Sequence, residues 1–102
     1  MLALRPTCEN CYRRLLPEAT DAYICSYECT FCKQCVDAVL ENVCPNCGGG
    51  FCPRPIRPSE DLINGNFLGN DPASTLEKHR PVNIAEHREF AERVKGISPE
   101  NR

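Results

Sequence analysis

Eight of the nine cysteines fall into four close pairs within the first 47 residues. The pairs are Cys8 with Cys11, Cys25 with Cys29, Cys32 with Cys35, and Cys44 with Cys47. Two thiolates that are two or three residues apart can occupy two corners of one metal tetrahedron. Four such pairs supply the eight ligands of two structural Zn(Cys)4 sites, so the sequence predicts two Zn2+ ions per chain.

Disulfide bonding is the competing use of so many cysteines, and three observations favour metal. The number of cysteines is odd, which would leave one thiol unpaired. The N-terminal residues lack the basic region and apolar stretch of a secretory signal peptide. No run approaches the roughly 18 apolar residues of a membrane span. We therefore expect a cytoplasmic chain, away from membranes, whose thiols stay reduced.

The length of 102 residues suits one small domain with an appendage. We assign residues 1–52 to a zinc-binding module, residues 53–70 to a proline-rich strap or linker, and residues 71–102 to a helical appendage. A chain below about 70 residues seldom buries enough apolar surface to fold by itself. Structural zinc would stabilise the first part by about 10–16 kcal/mol per site, as in peptide models.

Short elements must position the cysteine pairs in this metal-stabilised α+β module. Residues 7–12 and 44–47 predict zinc knuckles, which are tight turns whose backbone N–H groups can donate to sulfur. Residues 22–27 are rich in strand formers and predict one arm of a short hairpin. Residues 33–41 predict the helix of the module. Cys35 would lie in its first turn, where the helix dipole favours a thiolate.

The appendage shows two helix signals. Asp71 followed by Pro72 predicts a short helix over residues 72–79. Asn83 with Glu86 resembles a capping box that opens a second helix, which Gly96 would end. One face of this second helix would carry Ile84, His87, Phe90, Ala91 and Val94. That face would pack on the zinc module or on another chain.

The residues leave two ways of dividing the cysteines between two zinc ions. Sequential pairing groups Cys8, Cys11, Cys25 and Cys29, and leaves the last four for the other zinc. A cross-brace groups Cys8, Cys11, Cys32 and Cys35 as site 1, and Cys25, Cys29, Cys44 and Cys47 as site 2. Only two residues separate Cys29 from Cys32. This leaves little room between two sequential sites and favours the cross-brace.

The cysteine ladder, C-x2-C-x13-C-x3-C-x2-C-x2-C-x8-C-P-x-C, resembles that of a RING finger. Cys29 stands where that family often has histidine. Phe31 before Cys32, the helix after Cys35 and the Cys-Pro-Asn-Cys knuckle ending at Cys47 also fit. The resemblance implies a RING-like cross-brace fold with two knuckles, a short hairpin and one helix.

Several segments of residues 1–58 also resemble a short bacterial family that is catalogued as domain of unknown function 1272. These segments are Leu-Arg-Pro-x-Cys, Ile-Cys-Ser-x-Glu-Cys-Thr-Phe-Cys, Val-Cys-Pro-Asn-Cys-Gly-Gly-Gly and Arg-Pro-Ile-Arg-Pro. This resemblance implies a zinc-bound RING-like fold without an assigned activity. Residues 59–102 lie outside it.

The positions that a RING ubiquitin ligase uses are mostly not matched here. In that family, an apolar residue follows the first ligand, a Trp often precedes the seventh, and a basic residue follows the eighth. Here Glu9 and Gly48 hold the first and last positions, and the chain has no Trp. Only Pro45 of the last knuckle matches. We therefore predict a protein-interaction module, with a ligase-type adaptor or a zinc-thiolate redox sensor as alternatives.

No pattern in the chain points to an enzyme. The glycines at 48–50 lack the lysine of a phosphate-binding loop, and the carboxylates are scattered. His79 and His87 are poorly spaced for a shared metal. Eight cysteines would close both zinc sites, whereas a catalytic zinc needs an open position. Cys52 is interpreted as a spare buried thiol, with a redox or ligand role as the alternative.

Charge and apolar side chains bear on the partner, which we expect to be another protein. Residues 1–52 are acidic, and eight thiolates on two Zn2+ ions would add four negative charges, which argues against nucleic acid. The candidate contact residues are Ile24, Tyr27, Val36, Val39, Leu40, Pro45 and the apolar face over residues 84–94.

Overall fold

A short antiparallel hairpin lies at the centre of the fold. The computed structural model describes all residues from Met1 to Arg102. Strand β1 (Ala22–Ile24) pairs with strand β2 (Thr30–Cys32), and Tyr23 lies opposite Phe31. The predicted hairpin is confirmed, although β1 ends three residues before the predicted position. The architecture is small α+β, as expected from the sequence.

A helical segment follows β2 directly. It begins as α1 (Lys33–Cys35) and continues as a π-helical turn (Val36–Leu40). The Glu41 N–H donates to the Val36 carbonyl five residues back, which widens this turn. The prediction of a helix over residues 33–41 is therefore confirmed in its position, but most of the segment is π-helical and not α-helical. Its predicted buried side is present, because Val36 and Leu40 are buried and Val39 is half-buried.

The core lies between the hairpin and the helical segment. Its members are Leu15, Ala22, Phe31, Val36, Leu40 and six of the paired cysteines, Cys8, Cys25, Cys29, Cys32, Cys35 and Cys44. Phe51 packs edge-on against Phe31, with ring centroids 5.5 Å apart. A core this small is in the size range that short chains commonly supplement with metal or disulfides.

A third strand, β3 (Cys52–Pro53), completes a sheet of order β2-β1-β3. Cys52 lies opposite Ile24 on the outer strand, and its side chain is exposed. The expectation that Cys52 is buried is therefore wrong. The reason is that β3 forms an edge of the sheet, with nothing packed over its side chains.

The strap after β3 is held against the module by two arginines. The Arg54 guanidinium is buried and donates to the carbonyls of Arg5, at 2.8 Å, and Leu16, at 3.0 Å. Arg57 donates to the carbonyls of Leu2 and Asp71. These bonds fix residues 54–57 to the N-terminal segment, so this part of the strap is not a free linker.

The helix predicted over residues 72–79 is absent, and that prediction is wrong. The Ser74 N–H donates to the Leu4 carbonyl at 3.0 Å, and the Arg80 N–H donates to the Glu9 carbonyl at 2.7 Å. These tertiary bonds hold residues 74–80 against residues 4–9. The helix-start signal at Asp71 is local, and contacts with residues 4–9 override it.

Helix α2 (Ile84–Val94) matches the second prediction for the appendage. The Asn83 side chain accepts from the Glu86 N–H at 3.0 Å, as a helix cap should. His87 and Ala91 are buried, whereas Ile84 is 58 % exposed and does not share the packed face. None of the helices has the length and apolar character needed to cross a membrane.

The C-terminus closes onto the module. A 3-10 turn (Pro99–Asn101) follows α2, and the Arg102 guanidinium donates to the carbonyls of Asn42 and Gly48. His87 reaches the Leu40 carbonyl from α2. Residues 84–102 therefore dock on the cysteine-rich part of the chain.

Candidate metal centres and the adjoining groove

Four thiols meet where the first knuckle, the end of β2 and α1 come together. The sulfur atoms of Cys8, Cys11, Cys32 and Cys35 all lie within 4.8 Å of one another. The Cys11 and Cys32 sulfurs are 3.8 Å apart. Tetrahedral zinc with bonds of about 2.3 Å spaces its sulfurs about 3.8 Å apart. This group has the chemistry and the spacing to hold a metal ion.

Backbone turns and one amide orient the first group. In the knuckle, the Cys8 N–H donates to the Arg13 carbonyl and the Tyr12 N–H donates to the Cys8 carbonyl. Tyr12 adopts a left-handed backbone with a φ of 68°, which closes this turn. The Asn10 amide donates to the Cys35 sulfur at 3.3 Å. Such donors stabilise a thiolate and hold its direction fixed.

The second group lies at the other end of the hairpin. The sulfur atoms of Cys25, Cys44 and Cys47 lie within 4.8 Å of one another. Cys29 interacts with Cys25 and Cys44 but is not within that distance of all three. With Cys29, the second group offers four thiols to a metal ion.

Backbone N–H groups donate to three sulfurs of the second group, as the knuckle interpretation requires. Tyr27 donates to Cys25 at 3.3 Å. Asn46 donates to Cys44, and Gly49 donates to Cys47, both at 3.4 Å. Each donor lies two residues after its sulfur, so the turn itself creates the bond.

The two groups interleave along the chain. The first pair of cysteines joins the third pair, and the second joins the fourth. The sequential group of Cys8, Cys11, Cys25 and Cys29 does not form. The hairpin explains this placement, because antiparallel pairing of β1 with β2 places Cys25 and Cys32 at opposite ends of the sheet.

Burial and neighbouring groups shift the pKa values of the first group in opposite directions. Burial raises the pKa of Cys35 and also that of Cys32. Burial would raise the pKa of Cys11 too, but hydrogen bonds from the Arg13 backbone and the Cys8 thiol outweigh it and lower that pKa. The helix dipole expected to favour a Cys35 thiolate is therefore outweighed by burial.

The pKa values of the second group are also shifted in opposite directions. Burial and then the Cys25 thiol raise the pKa of Cys29 to about 11. Burial also raises the pKa of Cys44. For Cys25, burial is outweighed by backbone hydrogen bonds from Tyr27 and Cys29, so its pKa is lowered. In each group one thiol therefore has a lowered pKa, whereas the thiols with raised pKa values need a cation close by to lose their protons near neutral pH.

The candidate contact residues divide between core and surface. Val36 and Leu40 are buried, so they are core residues rather than contact residues. Ile24 and Val39 are half-buried. Tyr27, at 68 % exposure, and Pro45 remain on the surface.

Tyr27 and Pro45 line a groove of about 480 Å3 between the module and the appendage. The opposite wall comes from residues 78–83 and from α2. The sequence did not point to this groove, because residues 78–83 have no periodic pattern of their own. The tertiary bond from Arg80 to Glu9 places them. The groove is lined by Arg5, Glu9, Tyr27, Cys29, Phe31, Pro45, Asn46, Lys78, Arg80, Pro81, Val82, Asn83, Glu86, His87 and Phe90.

Glu9 lies at the floor of this groove and is only 5 % exposed. One of its carboxylate oxygens accepts from the Thr30 N–H at 2.7 Å and from the Arg5 guanidinium at 2.9 Å. The carboxylate thus joins the first knuckle to β2. Glu9 therefore has a structural role within the chain.

The fold and the two thiol groups define a small cysteine-rich α+β protein with two clusters that could bind metal. Residues 1–57 match the model of a family described as a protein of unknown function, DUF1272, and the chain belongs to that family. An uncharacterized protein of Rhizobium meliloti (strain 1021) is 46 % identical over 88 residues, covering 86 % of this chain and 98 % of the relative. No solved structure matches the chain significantly.

Proposed function

We propose that this chain is a protein-interaction module with a RING-like cross-brace, two structural Zn(Cys)4 sites and no catalytic activity of its own. The interleaved placement of the cysteine groups carries this proposal. Two metal ions shared in this way would tie the first knuckle to α1 and the hairpin to the second knuckle. The metals would then replace the large apolar core that a short chain lacks.

Zinc is the metal that suits these sites best. Four sulfur ligands favour zinc among the common cellular metals, and a closed set of four leaves no position for a substrate or water. Three of the first four thiols are buried, as are Cys25, Cys29 and Cys44 of the second group. Thiols must stay reduced to coordinate zinc, so we expect the protein to work in a reducing compartment such as the cytoplasm.

The two histidines make contacts within the chain. His87 is buried and bonded to the Leu40 carbonyl, which removes it from solvent. His79 is exposed and lies against the Tyr12 ring. The Nε2 atom of each imidazole contacts a backbone carbonyl, that of Asn10 for His79 and that of Leu40 for His87, and not a carboxylate that could orient a general base. Glu9 does not support the ligase-type adaptor, because its carboxylate is hydrogen-bonded to the Thr30 N–H and is not free to contact a partner.

Paired substitutions with native mass spectrometry test the cross-brace. We expect the wild-type protein to carry two zinc ions. The double variant Cys8→Ser/Cys32→Ser should keep one, because both residues belong to the same site. The variant Cys8→Ser/Cys25→Ser should lose both. Sequential pairing would give the reverse result and contradict the proposal. Cys52→Ser is the matched control and should keep two.

Loss of one zinc could unfold the chain and release the other, so a measurement on the intact protein is also needed. In protein loaded with cadmium-113, scalar couplings link each metal signal to the β-protons of its cysteines. One signal should couple to Cys8, Cys11, Cys32 and Cys35, and the other to Cys25, Cys29, Cys44 and Cys47. A single signal, or a sequential set of couplings, would refute the cross-brace.

A zinc-thiolate redox sensor is the second candidate, and the exposure of Cys11 and Cys47 favours it. Each proposed site has one such thiolate at the surface, where an oxidant can reach it. Substoichiometric peroxide should then release zinc, detected with a colorimetric chelator, and a thiol reductant should restore binding. Retention of both zinc ions at peroxide concentrations that oxidise Cys52 would exclude this role.

A further inference from the structure

The groove between the module and the appendage is large enough for a ligand. Its volume of about 480 Å3 lies in the range of about 300–1,000 Å3 that is typical of binding pockets. Its walls belong to elements that are fixed by tertiary bonds on both sides. The Arg80 N–H is bonded to Glu9, and the Val82 N–H is bonded to the Asn10 side chain at 2.9 Å.

One part of the groove is apolar and aromatic. Phe31 is nearly fully buried, Val82 and Phe90 are half-buried, and Tyr27 is exposed. Pro45 adds a rigid apolar edge from the second knuckle. An aromatic or aliphatic side chain placed here would exchange water for apolar contacts on several sides.

The groove also has three cationic side chains in its lining. They are Arg5, Lys78 and Arg80. Arg5 is paired with Glu9 at 2.9 Å, whereas Lys78 and Arg80 take part in none of the ion pairs of the structure. Glu86 is the one other carboxylate in the lining. Two unpaired cations beside an apolar wall are available to a carboxylate.

This local charge is opposite to that of the whole molecule. The chain has a formal net charge of −2. Two Zn(Cys)4 sites would add four further negative charges. A nucleic acid would meet this acidic surface outside the groove, whereas a short acidic segment could place its charges on the cations alone. The local excess of positive charge therefore selects a short peptide over a long polyanion.

We propose that this groove binds an acidic segment of a partner protein, in which a carboxylate lies beside an aromatic or large apolar side chain. The carboxylate would pair with Lys78 and Arg80, and the apolar side chain would pack against Tyr27 and Phe90. The proposal rests on the proposed interaction function and names the chemistry of the partner. It needs no change in the proposed metal sites.

A peptide selection tests the proposal with defined probes. The zinc-loaded full-length protein is presented with a positional-scanning library of fluorescein-labelled hexapeptides, and binding is read by fluorescence polarisation. We expect Asp or Glu to be enriched next to Phe, Tyr, Trp or Leu. Selection of basic peptides, or of none, would overturn the proposal. Tighter binding of fluorescein-labelled single-stranded RNA than of the selected peptide would overturn it as well.

Charge variants locate the site. The double reversal Lys78→Glu/Arg80→Glu should weaken binding of the selected peptide by about tenfold or more. Removing the opposing carboxylate with Glu86→Gln should strengthen binding about two- to fivefold. Arg88→Glu makes the same kind of charge change on the exposed part of α2, outside the groove, and should leave affinity unchanged. Arg88→Glu changes the net charge by two units and the double reversal by four, so a loss in Arg88→Glu that is about half as large in free energy would reduce the effect to net charge and refute the site.

The metal content of the same samples separates this proposal from the proposed function. A folded protein with two zinc ions that selects no acidic peptide overturns the groove proposal alone. A protein without zinc, or with disulfides in its place, overturns the proposed metal sites. Amide chemical-shift changes on peptide binding, confined to residues 27, 78–82 and 90, would agree with the groove.

Discussion

The Nε2 atom of His87 lies 3.0 Å from the carbonyl oxygen of Leu40, and both residues are buried. The bond joins α2 to the last residue of the π-helical turn. Carbonyls at the end of a helix have no partner within the helix, and a buried one must find a partner elsewhere. The Val43 N–H donates to the Leu40 carbonyl at 3.0 Å, and His87 supplies a second partner from 47 residues further along the chain.

His87→Ala should therefore loosen the appendage and destabilise the protein. The change removes one of the two hydrogen bonds to a buried carbonyl and opens a gap between the two helices. We expect the free energy of unfolding to fall by about 1–3 kcal/mol. Urea denaturation at fixed free zinc measures the change. Arg88→Ala, on the exposed side of α2, is the matched control and should change the free energy by less than about 0.5 kcal/mol. Equal effects in both variants would refute the role given to His87.

Gly48 is needed for the close approach of the second knuckle to α2. Its backbone has a φ of +78°, and a Cβ atom there would lie 3.3 Å from Cζ of Phe90. Gly48→Ala should lower the free energy of unfolding by about 1–3 kcal/mol, because both backbone strain and crowding result. Gly96→Ala is the control, since a Cβ there meets nothing within 4 Å. Thermal unfolding of the two zinc-loaded variants compares them, and an unchanged Tm for Gly48→Ala would contradict the packing described.

The sequence predicted the elements whose signals are local. The hairpin, the buried side of residues 33–40 and the Asn83 cap each depend on residues within a few positions of one another. The spacing between Cys29 and Cys32 also favoured the interleaved grouping that the structure shows. Such features follow from short-range sterics and from the reach of a thiol, so the sequence alone suffices for them.

Three features that the sequence did not reveal depend on partners that are distant in the chain. Asp71 and Pro72 predict the start of a helix, but the Ser74 N–H is hydrogen-bonded to the Leu4 carbonyl and no helix forms. Cys52 is exposed because β3 pairs with β1 at the edge of the sheet, and the residues near Cys52 do not predict this strand pairing. The wall that residues 78–83 contribute to the groove likewise follows from contacts with residues 9 and 10. Tertiary contacts of this kind decide between local alternatives that differ little in free energy.

Arg54 holds the strap in place, although it lies in a segment that its sequence predicts only to be extended. Burial lowers the pKa of Arg54, and its charge is balanced by the carbonyls of Arg5 and Leu16 rather than by a carboxylate. Arg54→Met keeps much of the volume but leaves both carbonyls without this donor. We expect the free energy of unfolding to fall by about 2–4 kcal/mol. Arg88→Met is the control in the same urea titration, and a loss below about 0.5 kcal/mol for Arg54→Met would show that water replaces the guanidinium at no cost.

The thiol pKa values predict that metal binding is linked to proton release. Burial, and then the Cys25 thiol, raise the pKa of Cys29 to about 11, and burial raises those of Cys32, Cys35 and Cys44. These thiols are therefore neutral near pH 7 without metal, and each must lose a proton to coordinate zinc. A neutral thiol with a raised pKa favours the metal-free fold at neutral pH, and that contribution is lost as the pH rises towards 11. The zinc-loaded fold responds in the opposite direction, because acid returns protons to the thiolates and releases zinc.

Calorimetric titrations in two buffers of equal pH but different ionisation enthalpy should give about three to four protons per zinc. The lowered pKa values of Cys11 and Cys25 account for the lower figure. Release of fewer than about one proton per zinc would mean that the thiols are already ionised in the metal-free chain, contrary to their burial.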